Sequence, residues 1–367
     1  VGTIRANLSG KPNGVSVNDF QKNEPLASAA HDGETITFFP TYGCRNPQGG
    51  GWKVTVHGWV YRPKENSLRR AAVLSLLRRA ARIDRDTMAS VTLKGRLRPF
   101  LFDNKRGRRF SVELGQVIHD LPASNPNGHF HVTLDIADNS LPSPATASPD
   151  ESLPFSVFSQ GASERTPAGE VRLIGEEGVS IVSDIDDTIK ISEVTNRREL
   201  FANTFVRDFR AAPKMADAYR HWASAGASFH YVSASPWQLF DPLSALLADQ
   251  RFAAGSVHLR NFRVKDRSLI DFLTDTDVAK RKVAEKLLHD FPRRQFVLVG
   301  DSGERDPEMY AGLARDYSAQ VRHIYIRNVT GEQRDCDRFR IAFDGVPENK
   351  WTLFDSETGL DADAIGL

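Results

Sequence analysis

From Val179 to Ile326 the chain repeats one pattern, a short apolar run followed by an amphipathic stretch of helical period. The apolar runs fall at 179–183, 228–232, 257–259, 295–299 and 321–326, and the helical stretches at 214–224, 238–249, 277–289 and 307–316. Runs that are apolar at nearly every position suit strands buried on both faces. Strand and helix in alternation predict a parallel sheet with helices on both sides, a Rossmann-like α/β domain. Such a sheet binds ligands outside the carboxyl ends of its strands, so the residues following each run are where chemistry is expected.

The first half has a different texture. Residues 1–33 are polar and lack a sustained period, and read as an arm. Strand-like runs follow at 35–39, 52–61, 90–97, 108–116 and 129–136, separated by turn-rich sequence at 47–51 and 122–128. Val54-Thr55-Val56-His57-Gly58-Trp59-Val60 alternates as a half-buried strand does. These features predict a β-rich domain, sandwich- or barrel-like, over residues 34–168, interrupted by one helix at 67–85. The Pro/Ser/Ala-rich stretch 141–154 resembles a linker. The domain boundary is set near Gly169, which leaves residues 169–367 for the α/β domain.

Three predicted strands of the second half end in polar groups. The first runs into Asp184-Ile185-Asp186-Asp187-Thr188. Asp184 and Asp186 can turn toward one point, and clustered carboxylates repel unless a cation or a shared proton compensates. Hard oxygen ligands of this kind favour Mg²⁺. An acidic loop or a helix cap would have the same composition. The second strand ends in Ser233-Ala234-Ser235-Pro236-Trp237. Its hydroxyl and the backbone N–H groups after it suit a phosphate oxygen, although Ser-x-Ser-Pro also begins ordinary helices. The third ends in Gly300-Asp301-Ser302-Gly303-Glu304-Arg305-Asp306. Between the last two, Lys280 lies one turn before Ala284 on a helix whose apolar face is Val283, Ala284, Leu287 and Leu288. Together these groups form a constellation that separate accidents do not explain.

In order and spacing, Asp-x-Asp-x-Thr, Ser, Lys and Gly-Asp-x(4)-Asp resemble the haloacid-dehalogenase-like phosphatases. The longer strings 183–190, 231–237 and 300–308 resemble the actin-patch-associated phosphatidate phosphatases of fungi and their bacterial relatives. The resemblance covers roughly Glu170 to Ile326. It implies a haloacid-dehalogenase-like fold and hydrolysis of phosphatidate to diacylglycerol and phosphate. Asp184 would be the nucleophile, Asp186 the general acid and base, and Ser233 and Lys280 the holders of the phosphoryl oxygens. Asp184, the backbone carbonyl of Asp186, and Asp301 would bind Mg²⁺. Thr188 would order the loop, and Asp306 would stand behind the ligands. Many relatives carry Asn where this chain has Ala234, which leaves only a backbone N–H there for phosphate. A phosphatase for another phosphomonoester, or a binding module without activity, are the alternative readings.

Only 49 residues separate Asp184 from Ser233 and 47 separate Ser233 from Lys280, which leaves room for a small helical cap near 192–209. A small cap leaves the site open to large substrates. Residues 62–109 hold 15 Lys+Arg against 4 Asp+Glu, a local +11 in a chain whose formal charge is +1. Arg78, Arg79 and Arg82 on the predicted helix, with Trp237 after the second motif, are candidate contacts to an anionic membrane. A helix packed on the β-rich domain with solvated arginines would have the same sequence. Aromatic residues do not interleave with these arginines, so nucleic acid is not an expected partner. Cytoskeletal or endocytic partners follow only from the resemblance. Apolar runs fall short of the ~20 residues a membrane helix needs. Cys44 and Cys336 are expected as unpaired thiols, and the expected location is the cytoplasmic side of membranes. Secretion stays open because the chain starts at Val1.

Overall fold

The computed structural model describes residues 19–22, 33–63, 91–141, 150–159, 166–262, 277–355 and 360. Two sheets organise them. The first contains β1 (Thr35–Phe38), β2 (Thr41–Arg45) and β3 (Trp52–Arg62). After helix α1 (Val91–Leu101) come β4 (Asp103–Asn104), β5 (Phe110–Leu114), β6 (Val117–Asp120), β7 (His129–Ile136), β8 (Asp150–Ser159) and β9 (Thr166–Ile174). The long strand β3 is the hub. It pairs antiparallel with β7 from Trp52↔Ile136 to Trp59↔His129. Its carboxyl end takes β1 and its amino end takes β2. Strand β2 then pairs parallel with β9, and β8, β5 and β6 follow antiparallel. Gly58 is required where the Phe130 ring crosses β3, since a Cβ there would lie 2.3 Å from that ring. Ile36, Val54, Val56 and Phe130 meet Val112, Leu114, Val157 and Val171 in one core. The sheet thus closes over itself in the manner of a sandwich.

The second sheet forms from β10 (Val179–Asp184), α2 (Arg197–Phe201), α3 (Met215–Ser224), β11 (Ser228–Pro236), α4 (Phe240–Asp249) and β12 (Gly255–Arg260). It continues through α5 (Asp277–Asp290), β13 (Gln295–Asp301), α6 (Asp306–Asp316), β14 (Val321–Arg327), α7 (Asp337–Ala342) and β15 (Trp351–Phe354). Its strands run in the order β12-β11-β10-β13-β14-β15, all parallel. Neighbouring residues of one strand enter opposite cores, as the period of two demands. Ile181, Tyr231 and Val297 pack with Tyr219, Trp222 and Leu247, while Val182, Val232 and Leu298 pack with Ala284, Leu287 and Leu313. The chain winds from β10 outward to β12, then returns to the other side of β10 as β13. The crevice above β10 is therefore the switch point of the sheet, the place such folds use for ligands.

The two sheets share packing. Phe39, Trp59 and Tyr61 enter the same cluster as Trp237 and Phe240, and the Tyr42 hydroxyl donates to Asp290 at 2.6 Å. Cys44 and Cys336 are free thiols. Among the described residues no helix is long and apolar enough to cross a membrane.

Four expectations from the sequence need revision or fall outside the description. The strand expected at 90–97 is not found from Val91 onward; Val91–Leu101 is helix α1. Its buried residues, Leu93, Leu97, Phe100 and Leu101, recur at helical spacing, and they pack on Leu200, Phe201, Phe205, Leu239 and Phe262. That tertiary face outweighs the strand preference of Val91 and Thr92. Strand β9 continues to Ile174, so the passage between the sheets falls at 175–178, beyond the boundary set at Gly169. The stretch read as a linker is already strand β8 from Asp150. Residues 67–85, with Arg78, Arg79 and Arg82, lie outside the described residues.

Candidate active site

Strand β10 delivers Asp184 to the switch point, fully buried. The chain then turns tightly: Ile189 and Lys190 both donate their N–H to the Ile185 carbonyl, at 3.0 and 2.9 Å. Asp187 sits at φ 54°, a left-handed conformation that Asp tolerates. Its carboxylate accepts the N–H groups of Ser192, Glu193 and Val194 at 2.7, 2.8 and 2.6 Å, which fastens the following loop. The Thr188 hydroxyl donates to Asp184 Oδ2 at 3.0 Å. Asp186 points to the β11 side. Its Oδ2 accepts from Ser233 at 2.8 Å and Ser235 at 3.2 Å, and its Oδ1 accepts from Ser192 at 2.7 Å. Lys190 Nζ lies 2.6 Å from that same Oδ1. Burial alone would raise the Asp186 carboxyl, but Lys190, Ser192 and Ser233 hold it well below the usual range.

The β13 side is acidic. Ligand oxygens of Asp184, Asp301, Glu304 and Asp306 lie within 4.8 Å of one another. Lys280 faces them: its Nζ is 2.5 Å from Asp184 Oδ1, 2.5 Å from Glu304 Oε2 and 3.1 Å from Asp306 Oδ1. Burial pushes the Asp184 and Asp301 carboxyls well above their ordinary range, and Lys280 offsets only part of this. Glu304 is pushed up to about 7, again by burial first, with Asp306 adding to it. For Lys280, burial works against the charge, but Asp184, Asp306 and Glu304 outweigh it and raise its pKa. Asp301 Oδ1 accepts from Gly303 and Glu304, whereas its Oδ2 is buried without a hydrogen-bond partner. Four carboxylates, one ammonium and an orphaned buried oxygen fit a hard divalent cation.

The structure brings together Asp184, Asp186, Thr188, Ser233, Lys280, Asp301 and Asp306. Ala234 is buried beside them in the β11 irregularity between Val232 and Pro236. Asp306, expected behind the ligands, offers an oxygen to the acidic group itself. Trp237 does not present apolar surface to a membrane. It is 5% exposed, with its ring 4.1 Å from Phe39 and 4.6 Å from His57, because the first sheet docks on it. Sequence reasoning missed Glu304, Lys190, Ser192 and Ser235. Three of them left a signal: Glu304 lies inside the third motif, Ser235 inside the second, and Lys190 follows Asp186 by four residues. The expected small cap is α2 with a wide helical turn at Ala202–Val206, against which α1 packs.

Residues 179–328 match the family model described as phosphatidate phosphatase APP1, catalytic domain. The resemblance to that catalytic domain covers less than half of the chain. Phosphatidate phosphatase APP1 of Saccharomyces cerevisiae is 34% identical over 188 residues, 50% of this chain and 31% of that protein. An uncharacterised protein of Schizosaccharomyces pombe is 29% identical over 218 residues, 57% of this chain and 34% of its own length. The matched region is thus about a third of each of these relatives. A solved phosphoserine phosphatase in apo form aligns at 12% identity and TM-score 0.27, covering 40% of this chain and 85% of that one. The fold described above stands on the sheet itself.

Proposed function

We propose that this chain is a Mg²⁺-dependent phosphatidate phosphatase that forms an aspartyl-phosphate on Asp184. The observation that carries the reading is the meeting of Asp184, Asp186, Ser233, Lys280 and Asp301 above one switch point, inside the matched catalytic domain. Asp184, Asp301, Glu304, Asp306 and the Asp186 carbonyl would hold the cation, whose charge offsets the carboxylates and the phosphate dianion.

An Asp184 oxygen attacks phosphorus and the phosphorus–ester oxygen bond breaks. The leaving alkoxide takes a proton from Asp186. A phosphate that draws the Ser233 hydroxyl to itself removes one of the donors that hold the Asp186 pKa down, which favours the acid form this step needs. Asp186 then accepts a proton from water as the water oxygen attacks the phosphoenzyme, releasing phosphate and restoring Asp184. Ser233, Lys280 and the Ala234 N–H hold the equatorial oxygens, over which transition-state charge is spread. The substrate would lie in a membrane reached from the cytoplasmic side, with cytoskeletal or endocytic partners as the resemblance implies.

The test compares phosphatidate in mixed micelles with water-soluble phosphomonoesters, with and without chelator. Turnover of phosphatidate that needs Mg²⁺ and is lost in Asp184→Asn supports the reading. A preference for soluble esters would move the substrate to another phosphomonoester. If Asp184→Asn kept more than about a hundredth of kcat, a barrier change under ~3 kcal/mol, covalent catalysis by Asp184 would be refuted.

A further inference from the structure

Three of the four clustered acids fall within six residues: Asp301 ends β13, Glu304 lies on the connecting loop and Asp306 opens α6. Such a stretch holds three ligands in register only if something fixes its backbone. Part of the fixing is local. The Ser302 N–H donates to the Arg327 carbonyl at 2.9 Å, and the Ser302 hydroxyl accepts from Val329 and Thr330 at 2.9 and 3.1 Å. These bonds anchor only the first half. In the second half Asp301 Oδ1 accepts the Gly303 and Glu304 N–H groups and Lys280 pairs with Glu304 and Asp306, while the backbone carbonyls are gripped by a side chain of α7, which lies past the end of the matched catalytic domain at residue 328.

That side chain is Arg338. Its Nη1 donates to the Ser302 carbonyl and its Nη2 to the Glu304 carbonyl, each at 2.5 Å, so the guanidinium bridges the two carbonyls on either side of Gly303. Its Nε and Nη2 reach the Glu308 carboxylate at 3.0 and 3.3 Å, and Nη1 reaches Glu332 at 3.1 Å. Glu308 lies in the first turn of α6, the helix that opens with Asp306. One planar fork therefore ties Glu304 to the start of the helix that carries Asp306. An ammonium, which lacks the fork, cannot reproduce this set of contacts.

We infer that Arg338 is a positioning residue for the cation site, holding Glu304 and Asp306 in register with Asp301 before the cation arrives. The inference rests on the metal-dependent reading given above. Arg338 has no contact with Asp184, Asp186 or Lys280 among its bonds, so it acts on metal affinity and not on the chemical step. Groups that orient ligands from behind commonly govern affinity by about 10–100-fold.

The test measures Mn²⁺ binding to the full chain by electron paramagnetic resonance without substrate, and the Mg²⁺ dependence of kcat on a soluble phosphomonoester. Arg338→Ala should weaken Mn²⁺ binding about tenfold or more and raise the Mg²⁺ requirement in parallel, with kcat at saturating Mg²⁺ within about threefold of wild type. Arg338→Lys should recover little. Glu308→Gln keeps the guanidinium and removes one of its anchors; it should shift Mn²⁺ affinity in the same direction by less, and it carries the test if Arg338→Ala does not fold. Wild-type Mn²⁺ affinity in folded Arg338→Ala, or in Glu308→Gln where the alanine variant does not fold, would overturn the inference. So would a fall in saturated kcat with affinity unchanged. A wild-type chain that binds no Mn²⁺ and cleaves no phosphomonoester would instead sink the functional reading on which the inference stands.

Discussion

Glu304 holds its place in the buried acidic cluster at a cost in stability, and this can be measured without any substrate. Its side chain is 11% exposed and lies 2.5 Å from Lys280 Nζ. Burial and the neighbouring Asp306 push its carboxyl from 4.5 to about 7. A rise of that size costs the folded state about 3 kcal/mol once the group is ionised. The sign follows from proton binding. The folded form binds this proton more tightly than the unfolded form, so the contribution of Glu304 to the stability of the metal-free protein is most favourable below about pH 4.5. Stability then falls as pH climbs through about 7 and levels off above it. Glu304→Gln cannot ionise and escapes the penalty, but gives up one ion-pair partner of Lys280, which keeps Asp184 and Asp306. In chelator near pH 8 the variant should be more stable than wild type by about 1–3 kcal/mol, with a flatter profile between pH 5 and 8. Adding Mg²⁺ should reverse the order, because binding to the folded state stabilises wild type by mass action and the variant binds less. Urea unfolding at several pH values, with and without Mg²⁺, reads both effects. Equal or lower stability of Glu304→Gln in chelator at pH 8, with an unchanged pH slope, would refute the reasoning.

Other perturbations report on separate parts of the molecule. Lys190 is paired with Asp186 at 2.6 Å with side-chain exposures of 3% and 13%, so Lys190→Met should cost about 3–5 kcal/mol in unfolding experiments and most of the turnover; a stable, active Lys190→Met would remove Lys190 from the site. His129 is 4% exposed, and burial lowers its pKa from 6.5 to about 3. Its folded form binds fewer protons than its unfolded form, so stability present above about pH 6.5 should be lost toward pH 3, by about 2 kcal/mol at pH 5. His129→Gln should flatten that acid limb, and an unchanged limb would show that His129 is already accessible to protons. The triple change Arg78→Glu, Arg79→Glu and Arg82→Glu should reduce liposome sedimentation at low salt by roughly a hundredfold or more, at ~1 kcal/mol per surface cation, while leaving kcat on a soluble ester intact. Equal sedimentation would show that these arginines are solvated.

The sequence made the second, parallel sheet legible because strands buried on both faces have almost no freedom in composition. Val179–Val182 and Phe296–Val299 could be little else, and once they are strands the residues just after them must stand at the carboxyl edge. Asp184, Ser233 and Asp301 are found this way. What lies across the edge is not coded in any single run. Ser192 reaches Asp186 from the loop after β10 and Ser235 from the irregular end of β11, and no periodicity relates the three. Trp237 follows a motif that faces the site, yet its side chain is claimed by Phe39 and His57 of the other sheet; a local reading had no term for that partner. Helix α1 failed for the same reason, since its apolar face is completed by Leu200, Phe205 and Leu239 from the second half of the chain. The misreadings therefore fall where the two halves meet. The β-rich half is bound up with the surroundings of the site: α1 packs against the cap, and Phe39 fixes the residue two places after Ser235. Removing it would expose Leu200, Phe205 and Trp237, and should unsettle α2 and the Ser233–Ser235 segment even though Asp184, Lys280 and Asp301 all lie in the other half.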